Sequence, residues 1–181
     1  MEERKVNEAI KKAEKGISQY LEIMSLLGEV DVSKNQRFQK RFNSFYRVRQ
    51  RKPNWYKSYY EFLEENKNNK ITFNKTLDHF KSELGRYEPS FSSKLVATIN
   101  PNKPVWDIYV LKNTGHKAPS YSSKSKFEDA KSAYKSIEEW YKEFLKTGEA
   151  KKIINSFNEV IKEHDKITDL KKVDFVLWQM R

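Results

Sequence analysis

Nine bases stand between Lys34 and Lys57 (Lys34, Arg37, Lys40, Arg41, Arg47, Arg49, Arg51, Lys52 and Lys57), and those 24 residues contain no acid. The window carries +9 of the chain's formal +11, which leaves +2 for the other 157 residues. Like charges held this close repel one another in a folded chain, and a polyanion relieves the repulsion. The plain alternative is a solvated basic face. Four aromatics adjoin the window, and Tyr56 and Tyr60 fall outside the apolar stripe of Trp55, Tyr59 and Phe62/Leu63. That spacing leaves Tyr56 and Tyr60 as the rings expected to stack on bases. One acid also stands out. Asp107 follows Pro101, Pro104 and Trp106 at a point where a helix should begin, so its first reading is an N-cap.

Other chemistries are excluded. The chain has no Cys, hence no disulfide, no thiolate metal site and no Cys nucleophile. His79, His116 and His164 are scattered without ligand spacing, so neither a metal nor a cofactor is expected. The five glycines occur singly, which rules out a glycine-rich phosphate loop, and neither HExxH nor a Ser-centred elbow is present. The opening MEERKVNEAIKKAEKG lacks the apolar stretch of a signal peptide, and no apolar run is long enough for a bilayer. The expected location is cytoplasmic, with no membrane partner.

The elements that must position these residues read as helices in one domain over 1–181. Its parts are an N-terminal helical segment (1–30), the basic segment (34–57) and a hairpin-like segment (84–115) holding Asp107. Val6, Ile10, Ala13, Ile17, Leu21 and Met24 recur at helical spacing over 2–28, with Gly28 as the cap. A second helix near 34–50 has Phe38, Phe42 and Phe45 on one face, with Lys34, Arg37 and Arg41 pointing away. Pro53 opens a third, and a fourth over about 73–84 ends at Gly85. FSSKLVATIN forms a short helix whose Ser92, Ser93 and Ala97 admit a close neighbour. Further helices are expected at 108–114, at 125–147 ended by Gly148, at 150–164, and after Thr168 and Asp169. The core must rest on rings, since aromatics are 14% of a chain that is only 37% hydrophobic.

The stretches FYRVRQRKPNWY, LGRYEPSFSSKLVATINP, PVWD and KKVDFVLWQMR, in this order, resemble uncharacterised bacterial relatives of the helix-hairpin-helix DNA glycosylase superfamily. The resemblance runs over about 42–115 and again over 171–181. It implies an all-α, glycosylase-like bundle in which residues 84–95 form the hairpin and second helix. It also implies that Asp107 activates a nucleophile or stabilises the sugar cation formed as a flipped base leaves. Where the superfamily has a glycine turn that binds phosphate through amides, this chain has Arg86-Tyr87-Glu88-Pro89-Ser90, so Arg86 becomes the phosphate contact. The Schiff-base lysine position falls near Glu88 or Pro89, and Lys94 on the next helix is not that lysine, so no lyase activity follows. Without Cys there is no iron–sulfur cluster.

The functional expectation is a DNA-binding protein of this type, a monofunctional base-excision glycosylase if Asp107 is catalytic. The expectation from a different class is a non-catalytic binder that blocks or recruits nucleic-acid machinery, such as a phage-encoded anti-CRISPR inhibitor of a Cas nuclease.

Overall fold

A computed structural model describes residues 2–180. Met1, the first residue of the N-terminal segment, and Arg181, the last of the terminal signature, lie outside the described residues. Among the described residues the regular elements are α-helices and one 3-10 turn, with no strand.

Helix α1 (Glu3–Glu29) buries Val6, Ile10, Ala13 and Ile17, then Tyr20, Ile23 and Leu27. Leu21 and Met24 are only partly buried, because a stripe stepping by three and four reaches the core through Tyr20 and Ile23 instead. Gly28 lies within α1 and Val30 is the cap, a correction to the expected end. Helix α2 (Gln36–Phe45) starts on Asn35, whose side chain accepts the Phe38 amide at 2.8 Å. Lys34 therefore precedes the helix, which also stops five residues short of the expected end. Arg47 (φ 55) and Gln50 (φ 54) adopt left-handed backbone that no α-helix allows. Tyr46 and Val48 turn inward on either side of Arg47, so Arg47 and Arg49 are pushed outward.

Helix α3 (Pro53–Asn66) begins on its proline, and α4 (Phe73–Leu84) on a Thr72 cap. Gly85 takes φ 61 after α4, and its amide reaches the Lys81 carbonyl while that of Arg86 reaches Phe80. Helix α5 (Pro89–Ile99) is buried at every position from Ser92 to Thr98. Ser93 accepts the Trp106 amide at 2.8 Å, and Ser90 donates to the Trp106 carbonyl at 2.9 Å. The small residues of α5 thus seat the extended segment that delivers Asp107 to α6 (Ile108–Asn113). After α7 (Lys126–Phe144), Thr147 caps α8 (Gly148–Val160), so Gly148 opens a helix rather than ending one. A 3-10 turn (His164–Lys166) and a Thr168 cap lead into α9 (Asp169–Gln179), which contains VDFVLW.

Helix α1 packs on α2, α8 and α9, while α5 packs on α3 and α4. Rings join the two groups: Phe42 of α2 lies 5.6 Å from Tyr59 of α3, and Tyr59 stacks on Trp55 and on Phe80 of α4. The buried apolar residues form one continuous core. Inside it, Lys171 and Asp174 form an ion pair at 2.8 Å, and the Tyr141 hydroxyl donates to Asp174. No helix among the described residues is long and apolar enough to cross a membrane.

Candidate nucleic-acid interface

Along the chain the basic window has no acid, but the fold brings acids to it. Lys34 pairs with Asp31 at 2.8 Å, and Lys57 stands 4.0 Å from Glu61. Glu22 of α1 takes Arg37 at 2.7 Å and Arg41 at 2.8 Å. The hydrogen bond from Arg37 is the largest influence and draws the Glu22 carboxyl below its usual range; burial opposes it, and the charges of Arg41 and Arg37 with the Arg41 hydrogen bond restore the lowering. Arg51 reaches Glu88. Lys40, Arg47, Arg49 and Lys52 are exposed and have no acid partner among the described residues. Arg37, Lys40, Arg41 and Ser44 line a shallow cavity of ≈ 390 Å³ on the outer face of α2. The candidate interface comprises this face and the turn after it.

Glu88 gathers donors from three directions. Arg51 grips both of its oxygens, at 3.0 and 3.2 Å. Trp55 Nε1 donates to Oε1 at 3.2 Å and Arg86 Nε at 2.8 Å. The Glu88 side chain is 6% exposed, so these are interior contacts. The Arg51 guanidinium also lies 5.2 Å from the Trp55 ring and 4.9 Å from Phe91. A planar, bidentate ion held this way is a structural clamp. Arg51 and Arg86 were expected to contact nucleic acid. Arg51 is held in this clamp with 20% of its side chain exposed, and Arg86 keeps a half-exposed side chain.

Lys94, set aside by the sequence reading, is buried beside this clamp. Its Nζ donates to the Tyr46 carbonyl at 3.3 Å and lies 4.8 Å from the Phe91 ring. Burial pushes this amine down to about 8; Asp107 opposes the shift, and Arg47 and Arg51 reinforce it. Asp107 is half-buried, and its Oδ1 accepts the Tyr109 amide at 2.9 Å, an N-cap contact. The fold therefore brings Asp107, Arg47, Arg51, Glu88 and Lys94 into one electrostatic neighbourhood, although they span 61 residues of chain. Only a lysine within an otherwise small and apolar helix hints at Lys94 in the sequence.

Tyr60 is a further correction. It is 1% exposed, packs against Phe38 and Phe42, and donates its hydroxyl to Asn43 at 2.7 Å. The shared α2–α3 face takes both Tyr59 and Tyr60 into the core. Tyr56 is partly buried, edge-on to Trp55. The described residues hold no group of three or more His, Cys, Asp or Glu that could bind a metal ion. No family model matches the chain, and no curated protein or solved structure matches it.

Proposed function

We propose that this protein binds the backbone of a nucleic acid, duplex DNA first, through α2 and the turn after it, in a cytoplasmic setting. The observation that carries the reading is the set of exposed Lys40, Arg47, Arg49 and Lys52, with no acid partner among the described residues. A charge without a partner gains most from a phosphate, and each contact releases counterions. Sequence preference is weak, since phosphates position a protein without specifying bases. The test is the Lys40→Glu, Arg49→Glu, Lys52→Glu variant, whose three positions are exposed and outside any ion pair. Duplex binding should be lost at physiological salt. For any residual binding at low salt, the dependence of log K on log salt should be shallower by about 3, at about 0.9 per lost contact. Unchanged binding would remove this surface from consideration.

A second reading, a helix-hairpin-helix glycosylase-like fold performing base excision, is favoured by Asp107 lying within electrostatic range of the buried Lys94, which Arg47 and Arg51 also reach. A carboxylate there would meet a sugar cation next to a held phosphate backbone. Asp107→Asn keeps an N-cap and removes the charge, so base release should fall about a hundredfold or more while binding persists. Asp107→Ala should additionally destabilise the fold by about 1 kcal/mol. If the wild-type protein leaves every base intact across a panel of modified duplexes, Asp107 is a cap. The protein is then a non-catalytic binder that blocks or recruits nucleic-acid machinery, as a Cas-nuclease inhibitor would.

A further inference from the structure

We infer that Tyr121 and its surroundings form a stacking platform for an unpaired base of single-stranded nucleic acid, a proposal that rests on the nucleic-acid reading above and names a second contact. Tyr121 lies in the connection between α6 and α7 and is 69% exposed, yet its ring is held in place. The ring meets Tyr87 at 5.7 Å and 76°, and Tyr87 meets Phe127 at 5.2 Å and 81°. Lys126 Nζ lies 4.3 Å from the Tyr121 ring centroid and donates to the Tyr121 carbonyl at 3.0 Å. Lys81 Nζ lies 4.6 Å from the Phe127 ring. Three rings and two ammonium groups therefore form one assembly, with Tyr121 as its open end.

Charge selects the occupant. Lys117 and Lys124 are exposed and lie four residues before and three residues after Tyr121 in the chain, and Arg86 precedes Tyr87. Of the nearby acids of α7, Glu128 pairs with Lys131; Asp129 accepts from Ser123 and Ser125 and keeps its negative charge near Tyr87, behind the open face of Tyr121. Cations around an exposed ring suit a phosphate chain whose bases are free to stack. In a duplex each base already has neighbours above and below it, so the platform discriminates in favour of single strands. Through Tyr87 it also adjoins Arg86 and the Glu88 clamp, at the edge of the basic surface.

The experiment measures binding of fluorescein-labelled oligothymidine, and of a labelled hairpin duplex, to the full chain. Tyr121→Ala should weaken oligothymidine binding between about fivefold and a hundredfold and leave duplex binding unchanged. Tyr121→Phe, which keeps the ring, should bind as wild type does. Melting curves verify that both variants fold. If Tyr121→Ala binds oligothymidine as tightly as wild type, the platform is wrong, and the basic surface stands if its triple variant still loses binding. Equal weakening of both probes also overturns it. Wild-type protein that binds neither probe overturns the nucleic-acid reading and the platform together.

Discussion

Glu22 and Glu88 each bind a pair of arginines, the first on the surface between α1 and α2, the second inside the junction of α3 and α5. Their chemical formula is nearly the same and their consequences differ. At Glu22, water and salt screen the attraction, so the pair contributes little and both guanidinium groups stay within reach of a ligand. At Glu88, the carboxylate is buried and also takes the Trp55 N–H, so removing its arginines strands a negative charge away from water. One cluster is a surface that a polyanion can compete for, and the other is a joint that holds α3 to the start of α5.

The contrast can be broken most directly at Glu88. Glu88→Gln should lower stability by about 2–3 kcal/mol in urea unfolding, because the partly buried Arg51 loses its counter-charge. A loss below about 1 kcal/mol would make the clamp equivalent to an exposed pair. The next effect concerns Lys94 in the same interior. Its folded pKa of about 8 lies below the unfolded lysine value, so the folded state loses its proton first as pH rises. The contribution of Lys94 to stability should therefore rise by about 2 kcal/mol between pH 8 and pH 10, read as the difference between wild type and Lys94→Met. Burial also raises Tyr20, to about 12, and Tyr46, Tyr59, Tyr60, Tyr134 and Tyr141, so their loss of stability opposes the rise as pH approaches 10 and dominates above it. Lys94→Met should flatten the rise between pH 8 and pH 10, as followed by urea titration at each pH. The smallest effect on the fold is at the surface. Glu22→Gln should leave the melting temperature nearly unchanged while freeing Arg37 and Arg41. Duplex affinity should rise several-fold, with a salt dependence steeper by up to about 2. If Glu22→Gln instead unfolds the protein, the Glu22 cluster is a second joint.

Much of the helical scaffold was legible because it follows from local chemistry. Asp107 and Thr168 cap helices where their carboxylate or hydroxyl side chains precede apolar periods. Gly85 ends α4 with the left-handed backbone that glycine tolerates. Gly28 and Gly148 misled, since a glycine also fits inside or at the start of a helix when its neighbours pack well. The end of α2 was hidden for a related reason: FYRVRQ keeps helical composition, yet burying Tyr46 and Val48 favours a turn through Arg47 and Gln50.

The sequence by itself determined the helical class, most helix starts and the presence of excess positive charge, because periodicity, caps and composition are local properties. Tertiary structure decided which charges remain available. Glu22 lies 15 residues before Arg37, and Glu88 lies 37 residues after Arg51. Such pairings depend on how helices pack, and no spacing rule along the chain encodes them. Packing likewise sent Tyr60 and Lys94 inward, and it left Tyr121 outward on a ring-lined seat. Burial is a property of a whole surface, so a residue's type states only what burial would cost, and the neighbours determine whether it occurs.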